Sequence, residues 1–349
     1  MGKGGAINRI QAPPTSRGLV GECVWRIAVC VATFDFSLIQ DDLLLVEDRL
    51  RDVAHVDVPG LAGILEQLLQ SGGKRLRPAL VLLAARFHDY DRQQAVSVAA
   101  AVETLHTATL VHDDLIDNSL LRRGNPTLNS AYQSGIVVLV GDYLFGKSAE
   151  LASQSKNIDL GELFARTVAV ICSGELRSLL DGKRWTLTRE EYRERIYAKT
   201  ASLFATCCES GAIVGQATAE ERMLLRAYGR YLGMAFQIAD DILDFVGSEE
   251  TLGKPVGSDL RQGTITLPAI IYIDRHRNDP IVRKAMANGD EGTKSELIER
   301  IRSSDAITEA YAEAHSFARQ AKESLAGFPD LPCRQVMMAL ADFVVERKT

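Results

Sequence analysis

Two short acidic clusters sit inside stretches that are otherwise apolar, and no other feature restricts the fold of this chain so strongly. The first is "LVHDDLIDNSLLRRGNPT", Leu110–Thr127; the second is "QIADDILDF", Gln237–Phe245. A helical residue advances about 100°, so Asp113 and Asp117 lie roughly 40° apart on one face, with Asp114 on its flank. Asp240 and Asp244 repeat that geometry, with Asp241 beside them. The segments before the clusters, "TATLV" and "MAFQIA", read as core. Two solvated helix faces would not have such neighbours. Carboxylates this close together are costly to bury unless positive charge neutralises them. A hard divalent cation does so: magnesium prefers carboxylate oxygens, keeps several waters and shares substrate phosphates. Two facing clusters would hold magnesium ions that clamp a diphosphate.

The surrounding pattern is helical. Apolar residues recur at three- and four-residue spacings in "LLLVEDRLRDV", "LAGILEQLLQ", "AAAVETLHTATLVHDDLID", "RMLLRAYGRYLGMAFQIADDILDF" and "VMMALADFVVERK". Several of these are apolar on more than one face, as central helices of a large bundle are. "GIVVLVGDYLF" is ambiguous in isolation, and its flanks favour a helix. Sustained strand-type alternation is absent. Glycine-bearing turns occur at Gly72–Gly73, Gly124, Gly182, Gly253–Gly257 and Gly289–Gly292. No long linker interrupts the chain after Leu38, so residues 36–349 are predicted as one all-α catalytic domain, a large helical bundle. The segment before it begins "MGKGGAINRIQAPPTSRG", rich in Gly and Pro, and residues 1–35 are expected to be disordered or an extra N-terminal segment, dispensable for function. The apolar residues 19–35 fit a targeting segment, an extra helix or translation from an upstream start.

Composition excludes some functions. A net charge of −6 argues against a nucleic-acid-binding surface. Six cysteines without CxxC spacing read as thiols in a reducing compartment, and a cytoplasmic location is expected. No run reaches the roughly 18 apolar residues of a membrane span.

A metal-bound diphosphate also needs cations from the protein. "SGGKRLRP" brings Lys74, Arg75 and Arg77 just after a Gly-Gly, and Pro78 limits the conformation of Arg77. A loop entering a helix with such cations can receive a phosphate. It is not a P-loop, because GxxxxGK[ST] is absent. Arg122 and Arg123 follow the first aspartates. His106 lies two turns before Asp113 on nearly the same face. "YAKTASLF" offers Lys199 and Thr200, and "LGKPVGSDLRQGTITLP" offers Lys254. Each lysine taken singly reads as a surface charge, and a lone helix histidine is as readily structural.

Taken together and in order, "GGKRLRP", "HDDLIDNSLLRRG", "KT", "FQIADDILD" and "GKPVGSDLRQGTITLP" resemble the trans-isoprenyl diphosphate synthases, the polyprenyl synthetase family, over roughly residues 38–349. Within the family it resembles long-chain members such as octaprenyl and solanesyl diphosphate synthases. The resemblance implies an all-helical fold around a central cavity, a homodimer, and magnesium-dependent head-to-tail condensation of an allylic diphosphate with isopentenyl diphosphate. It implies that Lys74, Arg77, His106 and Arg123 form the isopentenyl diphosphate site. Arg122, Lys199, Thr200, Gln237 and Lys254 would form the allylic site. Asp113, Asp117 and Asp240 would be the principal ligands of Mg2+, three ions per active site, supported by Asp114, Asp241 and Asp244. These aspartates and Lys199 would form the catalytic set. None of these positions is substituted, and residues 1–35 lie outside the family pattern.

Product length is read from the residues four and five positions before Asp113. Thr109 and Ala108 lie about one turn, 5.4 Å, deeper along the helix. In related short-chain enzymes an aromatic residue closes the channel here. Both side chains are small in this chain, Leu105 and Thr104 are moderate, and Ala101 and Ala100 are small again. An open channel favours a hexaprenyl-to-decaprenyl product, feeding a quinone side chain. Three alternatives compete: a farnesyl or geranylgeranyl diphosphate synthase, a class I terpene cyclase, and a non-catalytic partner subunit. A cyclase lacks the isopentenyl diphosphate site, and a silent subunit would be expected to have lost acidic or basic positions. Ala108 and Thr109 could also simply pack against a neighbouring helix.

Overall fold

Helices make up most of the chain from Gln40 onward in the computed structural model, which describes residues 34–70, 75–122, 125–182, 184–247, 255–287 and 289–347. The expectations for the first 33 residues lie outside the described residues, as do Lys74, Arg123 and Lys254. Up to the first acidic cluster the helices are α1 Gln40–Ala54, α2 Pro59–Gln70, α3 Leu76–Ala85 and α4 Arg92–Ile116. Then come the short α5 Leu128–Ala131, α6 Ser134–Ser153, α7 Ile158–Asp181 and α8 Arg189–Ile196. A π turn at Tyr197–Ala201 runs into α9 Ser202–Val214, and α10 Ala219–Val246 carries the second cluster. Shorter helices lead to two C-terminal ones, Asp305–Ser324 and Pro332–Glu346. "GIVVLVGDYLF" is helical, inside α6. One strand pair also occurs: Leu121–Arg122 is antiparallel to Asn125–Pro126, too short to show alternation.

The two acidic helices are long and firmly started. Asp91 caps α4 by accepting from the backbone N–H groups of Gln93 and Gln94. Thr218 and Glu221 form a capping box on α10, each side chain bonding the other's backbone. Between them runs α9, buried at nearly every position and in contact with α3, α4, α7 and α10. Its contact with α10 depends on missing side chains. A Cβ on Gly233 would lie 2.6 Å from Ala201 Cα, and one on Gly229 would lie 2.4 Å from the Phe204 carbonyl oxygen. Those glycines let α10 lie directly on the π turn and the start of α9.

Arg75 shows why one cation of "GGKRLRP" is structural. It caps α3 in a left-handed conformation, φ 47°, and its guanidinium is held by Glu47, Glu103 and the Leu69 carbonyl. Arg77 lies within the first turn of α3. Pro78 follows in the same turn, where a missing N–H has no intrahelical partner to lose.

Candidate active site

The residue after Lys199 faces a different helix from Lys199 itself, and this joins the two acidic clusters. A π turn widens the helix by one residue, an insertion often found at functional sites. Lys199 Nζ lies 4.0 Å from Asp113 Oδ2 on α4 and 3.1 Å from Glu175 Oε1 on α7. Thr200 donates its hydroxyl to Gln237 Oε1 at 2.7 Å, and the Gln237 amide donates to Asp241 Oδ1 at 2.8 Å, both on α10. Tyr192 on α8 completes the path, donating to Asp241 Oδ2 at 2.6 Å.

The two clusters share a division of labour. In each, the second aspartate is engaged by protein groups. Asp114 accepts from the Arg122 guanidinium at 2.8–3.0 Å. Asp241, 4% exposed, is held by Tyr192 and Gln237. Asp244, 2% exposed, accepts the backbone N–H of Asp259 and so anchors the short helical turn Ser258–Arg261. The first aspartates and Asp117 face outward more. Asp117 is exposed at the C-cap of α4, its N–H still bonded to the Asp113 carbonyl, so the helical face continues to it.

Electrostatics follow from burial. Burial lifts Asp113 to about 6; Lys199 opposes this, while Glu175 and Asp117 add to it. Burial likewise lifts Asp241 to about 7, with Asp259 adding and the bonds from Tyr192 and Gln237 opposing. Burial pulls the Lys199 ammonium down, but Asp113 and then Glu175 outweigh it, so its pKa ends above the ordinary value.

A second path reaches Asp240. The Arg77 guanidinium sits 5.0 Å above the Phe204 ring, and that ring lies 5.2 Å from Phe236. Arg347, just after the C-terminal helix, covers Phe236 at 4.0 Å and reaches Asp240 Oδ1 at 2.5 Å. His106 is half-buried on α4, one face with Asp113. Ala108 is fully buried, while Thr109 is half-buried with its hydroxyl donated to the His106 carbonyl.

Glu175, Tyr192 and Arg347 were not singled out in the sequence. Each acts through a partner distant along the chain, and none belongs to a repeated spacing.

The donor set suits magnesium better than a preformed cage. Among the described residues no three His, Cys, Asp or Glu groups come together as a ready metal site. Asp113, Asp117 and Asp240 instead offer separate carboxylates. An ion that completes its shell with water and substrate phosphate needs only one or two of these.

Comparison with known proteins points to one family. The family model for polyprenyl synthetase matches residues 58–302. Heptaprenyl diphosphate synthase component 2 of Geobacillus stearothermophilus is 39% identical over 314 residues, 89% of this chain and 98% of that protein. A short chain isoprenyl diphosphate synthase of Methanothermobacter thermautotrophicus is 36% identical over 314 residues, 87% of this chain and 96% of that one. Among solved structures, a polyprenyl synthase from Caulobacter crescentus complexed with calcium and isoprenyl diphosphate superposes with a TM-score of 0.84 at 38% identity. It covers 90% of this chain and 97% of its own.

Proposed function

The chain belongs to the polyprenyl synthetase family, and from that premise we propose that its residues divide two diphosphate sites as their contacts suggest. It is a chain-elongating prenyltransferase with the all-α isoprenoid synthase fold. The carrying observation is the pair Lys199–Thr200, neighbours in sequence that engage one acidic helix each.

Lys199, Thr200, Gln237 and Arg122, with Lys254, receive the allylic diphosphate. Arg77 and His106, with Lys74 and Arg123, receive isopentenyl diphosphate. Asp113, Asp117 and Asp240 would hold Mg2+, three ions per site on the family pattern, and Asp114, Asp241 and Asp244 keep the acidic helices in place. Magnesium, when bound, would stabilise the charge that grows on the departing oxygens. Lys199 adds a fixed ammonium to the same oxygens. The allylic carbon–oxygen bond breaks with its electron pair going to the diphosphate. The double bond of isopentenyl diphosphate forms the new carbon–carbon bond. The proton then lost from isopentenyl diphosphate passes to the released diphosphate, as the family resemblance implies. Holding two diphosphates side by side supplies about 7–11 kcal/mol in well-oriented systems.

The product is a long all-trans chain, hexaprenyl to decaprenyl, destined for a quinone side chain. The small Thr109, on the side of α4 that carries Asp113, supports this, with no aromatic ring there to close the channel; Ala108 is fully buried. The working assembly is a homodimer formed through the exposed apolar face of α6 and α7, which includes Leu139, Leu176, Leu179 and Leu180, the last 86% exposed. Residues 36–349 form the catalytic domain. A cytoplasmic site of action follows the sequence reading of cysteines without CxxC spacing; separately, among the described residues no helix is long and apolar enough to cross a membrane.

A second reading has one observation in its favour: the Geobacillus relative is named as component 2 of its enzyme. Under that reading the apolar face receives a different subunit. One assay separates the two. Purified chain is incubated with labelled isopentenyl diphosphate, farnesyl diphosphate and magnesium, and the products are chromatographed. Long polyprenyl products are expected, abolished by chelator. A chain inert by itself would favour the two-component reading; products stopping at geranylgeranyl would overturn the long-chain one.

A further inference from the structure

We propose that Glu175 is a positioning residue for Lys199, holding its ammonium where an allylic diphosphate arrives. This rests on Lys199 belonging to the allylic site. Glu175 comes from α7, which carries no other residue assigned to either diphosphate site. Its Oε1 lies 3.1 Å from Lys199 Nζ, inside hydrogen-bond range, whereas Asp113 lies at 4.0 Å. Both carboxylates are largely covered, with side-chain exposures of 19% and 17%. The lysine is therefore fixed by two acids on two helices, and Glu175 makes the shorter contact.

The two acids differ in what happens when substrate binds. Asp113 is assigned to metal, so its negative charge is claimed elsewhere. Glu175 is then the carboxylate left to steer the ammonium. A free lysine side chain loses rotamer freedom when it is fixed. A partner that fixes it beforehand removes that cost from substrate binding. Glu175 also carries a charge that repels a diphosphate. The conservative amide separates these effects: glutamine keeps the oxygen acceptor for Nζ and drops the charge.

The test is steady-state kinetics on Glu175→Ala, Glu175→Gln, Lys199→Ala and the double variant Glu175→Ala/Lys199→Ala. Glu175→Ala is expected to raise KM for the allylic diphosphate about tenfold, with KM for isopentenyl diphosphate and kcat within about twofold. Glu175→Gln is expected to return the allylic KM to the wild-type value or below. The double variant should be no worse than Lys199→Ala, since coupled partners are not additive. Glu175→Met, similar in length but with no oxygen acceptor, repeats the test if truncation loosens α7. An allylic KM that is unchanged or lowered in both Ala and Met variants, or effects that multiply in the double variant, would overturn the proposal. If Lys199→Ala itself leaves the allylic KM unchanged, the site assignment fails instead, and the two failures are told apart.

Discussion

Burial lifts two carboxylates of the acidic clusters, Asp113 to about 6 and Asp241 to about 7. A carboxyl whose pKa is higher folded than unfolded binds more protons in the native state between the two values. Stability from that group therefore falls as pH rises through that window. For Asp113 the window runs from 3.8 to about 6. In chelator, Asp113→Asn should melt above the wild type at pH 7, by on the order of 2 kcal/mol, and the gap should close near pH 4. A gap independent of pH would contradict this. With magnesium the same variant should lose turnover by orders of magnitude. The proposed division of cations between the two substrates is tested at this scale too. Arg77→Ala should raise KM for isopentenyl diphosphate, and Lys199→Ala that for the allylic substrate, each by about ten- to a hundredfold. Equal weakening of both substrates by both variants would reject the two-site division.

The π turn is the element on which the site depends, and two of its contacts can be tested by substitution. One is the hydrogen-bonded path from Thr200 through Gln237 and Asp241 to Tyr192. Tyr192 is fully buried, and burial first and Asp241 second keep its hydroxyl protonated. Tyr192→Phe preserves the ring but removes a donor from a buried carboxylate, a loss of about 1–3 kcal/mol. That loss should be larger at pH 8 than at pH 6, because Asp241 needs the donor most when ionised. Chemical denaturation at the two pH values measures it, and equal losses would speak against the role. The other contact is Gly233 on Ala201. Gly233→Ala drives a Cβ into backbone and should cost about 1–3 kcal/mol while lowering activity. Normal activity at an unchanged melting temperature would show that α10 can withdraw freely.

Product length and assembly belong to the whole molecule. On α4, Ala101, Leu105, Ala108 and His112 fall within about 60° of one another. That face meets α6: Ser148 donates to the Ala101 carbonyl, and His112 Nε2 lies 3.2 Å from the Val138 carbonyl. Ala108 is fully buried there. Thr109 lies on the side shared with Asp113, about 40° from it. Thr109→Phe is therefore expected to shift the product toward farnesyl or geranylgeranyl diphosphate while the first condensation survives. Ala108→Phe should shorten the product only together with a lower melting temperature. An unchanged product from active Thr109→Phe would move the channel to another wall. Light scattering tests assembly: Leu139→Glu with Leu179→Glu should convert a dimer to monomer. An unaltered mass would place the interface elsewhere.

Local pattern was enough to read the helices, because a 3.6-residue period shows in any amphipathic run. The acidic clusters were readable for a similar reason, since carboxylates within apolar helices need a cation; the Lys-Thr pair was not, because a single lysine reads as a surface charge and only the family resemblance singled it out. Pattern says which face of a helix is apolar, not which neighbour it meets. Hence Asp114 and Asp240 look alike in sequence, yet one is bound to Arg122 and the other to Arg347. Arg75 and Arg77 stand two apart, and only packing sends the first to Glu47 and Glu103 and the second to Phe204. Tyr192 and Asp241 are 49 positions apart, Arg347 and Asp240 107. No local period links such pairs. They meet because close packing of α8, α9, α10 and the last helix brings these polar groups onto one another, and a buried polar group without a partner is costly.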